Sequence, residues 1–206
     1  MGAKAMTPPS SWPDRLLPLA LDASAVINLN GSGRAADILR ILGGEVLVAS
    51  EVIRELRNGI PNKRKDSEKL AVLIEHGLVK EVKLGEPGLI LFERLAIGAA
   101  ASTLEDGEAA TIAMAFEREA AAVIDESKGR RLCGVHAPKV RLIGSIELFL
   151  HDAVTRDLDK GLAEAIFGAL TIGRMHVLPM YHARVAQLLG PERAALCKSL
   201  PKSIRR

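Results

Sequence analysis

Five short strand-like segments constrain this chain more than any other feature. They are LLPLAL before Asp22, EVLVAS ending at Ser50, VKEVKL before Gly85, AAAVI before Asp125, and KVRLIGS closing at Gly144 and Ser145. Each has the length of a strand, with VKEVKL alternating where LLPLAL, EVLVAS and AAAVI are apolar; each stops at an acid, a glycine or a serine, and helical periods separate most of them. Strands alternating with helices in this way imply a parallel sheet with helices packed on it, an α/β fold.

Between the strands the helices have recognisable starts and stops. GSGRAADILRILGG reads as a helix stopped by Gly43 and Gly44. In SEVIRELRNG, Ser50 reads as the N-cap, Val52, Ile53 and Leu56 form the apolar stripe, and Glu51 and Glu55 share another face. NKRKDSEKLAVLIEHGL is a further amphipathic helix opened by basic residues. Residues 86–101 show no decisive period. Ser102 and Glu105 fit an S-x-x-E capping box, which assigns Glu105 and Asp106 to a helix start. Ala109, Ile112, Ala113 and Phe116 then follow the spacing of a buried face.

The expected organisation is a loose lead-in over residues 1–15, an α/β domain over 16–152, and a helical extension over 153–206 with the basic tail KSLPKSIRR. That extension reads either as an appendage packed on the sheet or as a homo-oligomerisation element. With 206 residues the chain is long enough to bury a core of its own. Pro18 and Asp22 interrupt the first apolar segment far short of the ~20 residues a membrane span needs, and the start makes a poor signal peptide. Cys133 and Cys197 form no metal or disulfide pattern. A cytoplasmic protein without a membrane partner is expected. The 28 basic and 25 acidic residues, net +3, tolerate a polyanionic partner without demanding one.

Ligands of open parallel sheets gather beyond the carboxyl ends of the strands. Asp22 and Asp125 end strands, while Glu55 and Glu108 lie in helices that follow, so four carboxylates distant in sequence are expected to converge. Two ionised carboxylates about 4 Å apart repel by roughly 4 kcal/mol at an effective dielectric near 20. Several together require protonation or a cation, and an all-oxygen set without histidine or thiolate favours Mg2+ or Mn2+ over zinc.

The ordered segments LALDASAVINL, VASEVIREL, LEDGEAATIAMA and AAVIDESKGRRLC resemble the successive motifs of PIN-domain nucleases, closest to small prokaryotic proteins related to toxins of toxin–antitoxin pairs. The likeness covers about residues 17–150 and implies a three-layer α/β/α fold with a central parallel sheet. It also implies a Mg2+- or Mn2+-dependent ribonuclease in which Asp22, Glu55, Glu108 and Asp125 hold the metal and carry catalysis. Ser24 would orient the first carboxylate or a water. Arg130 matches a basic position that would meet phosphate. The implied partners are an RNA substrate and an antitoxin; residues beyond Asp152 match no family pattern.

Competing readings exist for each residue. Asp22 suits an N-cap, Glu55 a helix-surface ion pair, and Glu108 the favourable end of a helix dipole. Lys63, Arg64 and Lys65 form a run that is solvated or touches an RNA backbone. Trp12, Tyr181 and four phenylalanines leave few base-stacking platforms. Gly31, Gly33 and Ala36 satisfy the dinucleotide pattern G-x-G-x-x-A if AVINL is a strand. A non-catalytic module binding RNA or protein is the other alternative.

Overall fold

The computed structural model describes residues 17–58 and 61–205, with the side chains of 61–64 excepted. The lead-in expected over residues 1–15 therefore lies outside the described residues. Five strands form one all-parallel sheet: β1 (Leu19–Leu21), β2 (Val46–Ala49), β3 (Lys80–Val82), β4 (Ala121–Val123) and β5 (Arg141–Ile143), in the order β3-β2-β1-β4-β5. Helices flank it in the α/β/α arrangement. Leu19, Ala20 and Leu21 stand opposite Val46, Leu47 and Val48 on one side and Ala121, Ala122 and Val123 on the other. The chain winds outward in both directions from the β1–β4 pair, so the crevice at a topological switch point opens directly above it.

The first helices are α1 (Ala23–Gly31), α2 (Ala35–Leu42), α3 (Ser50–Asn58) and α4 (Pro61–Glu75). AVINL, read as a strand for the dinucleotide pattern, belongs to α1, so the strand that motif requires is missing. Gly43 takes a left-handed φ of 63° and stops α2 as expected. Ser50 is the first residue of α3, but its hydroxyl donates to Glu81 Oε1 at 2.7 Å instead of capping the helix.

The undecided stretch forms α5 (Glu86–Ala96). Its start is held from a distance, because the Gly85 N–H donates to Glu117 Oε2 at 2.7 Å. Next come α6 (Asp106–Glu117) and α7 (Ser127–His136). No capping box forms at α6: its N-cap is Glu105, with no side-chain cap bond, and Ser102 Oγ donates to the carbonyl of Ala99. Residues from Ala109 to Ala115 are buried without a break, so α6 has no solvent face along most of its length. Phe116 escapes this enclosure at the last turn and is 45% exposed, contrary to its expected place on the buried face.

Beyond β5 follow α8 (Ser145–Phe149), α9 (Asp152–Leu158), α10 (Leu162–Thr171) and α11 (His182–Leu196), the last kinked at Gly190–Pro191. α10 lies across α1. The crossing is tight enough that a Cβ on Gly168 would sit 2.5 Å from the Gly31 carbonyl oxygen, and one on Gly31 would sit 2.7 Å from the Gly173 nitrogen. Gly31 thus serves helix packing, a role unconnected with phosphate binding. Among the described residues no helix is long and apolar enough to cross a membrane.

Candidate active site

Asp22 leaves β1 in extended conformation and caps α1: its Oδ1 accepts the Ala25 N–H at 2.7 Å. The Ser24 hydroxyl lies 2.9 Å and 3.1 Å from the two carboxylate oxygens. The capping role foreseen for Asp22 is therefore real, and it aims a buried carboxylate at the crevice above the sheet. Burial pushes its pKa up to about 8; the bonds from Ala25 and Ser24 oppose the rise, while Asp125 and Glu108 add to it.

Glu55 and Glu108 each lie on a glycine. A Cβ on Gly107, in the first turn of α6, would run into Glu55 Oε2, and one on Gly129, in the first turn of α7, would run into Glu108 Oε1. Glu108 Oε1 is buried without a hydrogen-bond partner. Burial, then the neighbouring Glu126 and Glu105 charges, push Glu108 up to about 7, against the pull of Lys128. Asp22, Ser24, Glu55, Glu105, Glu108 and Glu126 line one pocket of about 210 Å³. Three of the four expected acids thus share its wall, together with Glu126 and with Glu105, which the sequence assigns to a helix start. Asp106 instead lies 3.8 Å from Arg54, both exposed.

Asp125 is buried at the end of β4 and does not line that pocket. Its Oδ1 accepts the Ser145 N–H at 2.6 Å, and its Oδ2 accepts Asn28 Nδ2 at 2.9 Å. Asn28 Nδ2 also reaches Ser145 Oγ at 3.2 Å. Burial raises the Asp125 pKa, and the two bonds from Ser145 are the chief opposition. Arg130 donates to the Ile124 carbonyl at 2.9 Å, which ties one guanidinium nitrogen to the strand end. Lys65 is exposed on α4; the side chains of Lys63 and Arg64 lie outside the described residues.

Asn28, Ser145 and the two glycines were not singled out from sequence. The glycines had a signal: each stands one position or more into a helix, where alanine is the better helix former, beside a cluster of acids. Asn28 and Ser145 gave none, since 97 and 20 residues separate them from Asp125.

Among the described residues no three His, Cys, Asp or Glu side chains already surround a single point. The donor chemistry nevertheless fits a hard divalent cation: the polar wall is carboxylate and hydroxyl oxygen, and Glu108 Oε1 is a buried acceptor lacking a donor. Such carboxylates either hold protons near neutrality or give them up to a cation. In comparisons with known proteins, a family model described as a PIN domain matches residues 19–190. No curated protein and no solved structure matches the chain.

Proposed function

The chain belongs to the PIN-domain family, and on that premise we propose that it is a Mg2+- or Mn2+-dependent endoribonuclease acting at the acidic pocket above β1 and β4. PIN domains are a nuclease-type fold and typically depend on a divalent cation. One observation supports the reading most: carboxylates from β1, α3 and α6 line one pocket in which burial holds Asp22 and Glu108 far above their ordinary pKa values. Burying these acids together costs stability, which a bound cation would offset.

Asp22, Glu55 and Glu108 would hold the cation, and Asp125 would support it. When bound, it supplies Lewis acidity toward the scissile phosphate. Ser24 keeps the Asp22 carboxylate oriented. Glu108, whose Oε1 is buried with no donor, would offer the cation an uncompensated carboxylate. The pocket is smaller than the ~300 Å³ at which ligand cavities begin, so it admits a phosphate and leaves the bases outside. Substrate choice then rests on RNA backbone and shape. The likeness to small prokaryotic PIN proteins extends the proposal to the toxin of a type II toxin–antitoxin pair, whose antitoxin segment would cover the pocket.

Cleavage of single-stranded and structured RNA by the purified protein, with Mn2+ and with EDTA, tests the reading. Metal-dependent cleavage that falls at least ~100-fold in Asp125→Asn supports it. RNA binding without cleavage in Mn2+ would leave a non-catalytic module, and tight NAD binding would restore the dinucleotide reading. Growth arrest on expression, relieved by a neighbouring small open reading frame and absent in Asp125→Asn, is the outcome expected of a toxin.

A further inference from the structure

Two of the hydrogen bonds that fix Asp125, from Asn28 and from the Ser145 N–H, are backed by one segment, Gly173–Tyr181, which joins α10 to α11. At one end Gly173 packs on Asn28: a Cβ there would lie 2.9 Å from both Asn28 Cα and Oδ1. Asn28 is the donor to Asp125 Oδ2. At the other end Leu178 packs against Gly144, within 3.2 Å of a Cβ at that position. Tyr181 donates its hydroxyl to Glu147 Oε1 at 2.8 Å, and Glu147 Oε2 accepts the Gly144 N–H at 2.7 Å. The next N–H along the chain, that of Ser145, is the donor to Asp125 Oδ1.

We propose that Tyr181 is a positioning residue for Asp125, acting through Glu147 and the Gly144–Ser145 turn, so that the α10–α11 segment is a working part of the acidic site. The proposal rests on the nuclease reading of that pocket. Tyr181, Glu147, Ser145, Asn28 and Asp125 are all buried, so each bond operates where water does not replace it. The Tyr181 hydroxyl on Oε1 orients the Glu147 carboxylate whose Oε2 holds the Gly144 N–H, and with it the direction of the Ser145 N–H. Tyr181 touches neither substrate nor cation in this scheme. Its effect on the reaction is transmitted through two backbone donors.

The test is Tyr181→Phe, which deletes one oxygen and keeps the ring. The expected result is a kcat for RNA cleavage lower by about 10-fold with KM within about twofold, measured well below the melting temperature. In the metal-free protein, exchange of the Ser145 amide should speed up relative to that of Ala122, a core strand amide. Met180→Ala, at an exposed position of the same segment, should change neither. Unchanged kcat and unchanged Ser145 exchange would overturn the proposal, as would an effect confined to KM. If Tyr181→Phe does not fold, Glu147→Gln is read in the same way; loss of fold in both variants makes the pair structural and overturns it too. Should the wild type cleave no RNA, the nuclease reading fails separately, while Ser145 exchange and the Asp125 carboxyl chemical shift in the metal-free protein still decide whether Tyr181 positions Asp125.

Discussion

Glu108 rests on Gly129: the carboxylate of one occupies the space that a methyl group on the other would need. Gly107 gives Glu55 the same accommodation. Neither glycine has a positive φ, so alanine fits the backbone at both positions and improves helix propensity by up to ~1 kcal/mol. Gly107→Ala and Gly129→Ala are therefore expected to displace a carboxylate while leaving the melting temperature unchanged or higher. RNA cleavage should fall at least ~10-fold in each. Full activity in both variants would show that neither acid needs its present place.

Stability should fall as pH rises in the absence of metal. Asp22 shifts from 3.8 to about 8 on folding and Glu108 from 4.5 to about 7, so the folded chain binds these protons more tightly than the unfolded one. Their contribution is fully present below the unfolded values and is lost as pH climbs through the folded ones. Melting in EDTA should be higher at pH 5.5 than at pH 8.5, by roughly 3 °C or more. Mn2+ at pH 8.5 should recover the difference, because the cation replaces the protons. A flat profile in EDTA would mean that the acids ionise freely.

Asp22→Asn separates function from fold. Asparagine caps a helix as well as aspartate does, so the bond from Ala25 N–H survives, while the buried charge disappears. The variant should lose at least ~100-fold in cleavage and melt higher than the wild type in EDTA at pH 8.5, by about 2–4 °C per kcal/mol gained. A lower melting temperature would indicate that the charge itself stabilises the fold.

Gly168→Ala places a Cβ against the Gly31 carbonyl, where no side chain can move aside. Overpacking of this kind costs about 1–3 kcal/mol, so the variant should melt several degrees lower. Gly134→Ala, in α7 with open space around it, should be neutral or stabilising by about 0.5–1 kcal/mol. Equal behaviour of the two would mean that α10 is able to ride away from α1.

The parallel sheet is legible because the three central strands are apolar runs cut off by a turn residue, the edge strand β3 shows alternation, and Asp22 and Asp125 sit where apolar runs end. Local chemistry alone carries that information. α5 was undecided because its start is held by Glu117, a residue 32 positions away from the bonded Gly85. Phe116 departs from its expected buried place because α6 is enclosed on nearly all sides, which removes the periodicity that marks a face. In the site, three expected acids reach one pocket, but the hydrogen bonds to Asp125 come from Asn28 and Ser145, polar residues that look ordinary in sequence. Similarly, AVINL satisfied a strand pattern until the Asp22 cap and the crossing with α10 identified it as helix.

The neighbourhood of β1 and β4 also sets when the site can exist. Their residues pair directly, Leu21 with Val123, although about half the chain separates them. Asp125 is then held by Ser145, which lies beyond β5. During synthesis the first half of the polypeptide carries Asp22 and Glu55 with nothing for them to converge upon. A site assembled in this order stays incomplete until the residues beyond β5 have been made.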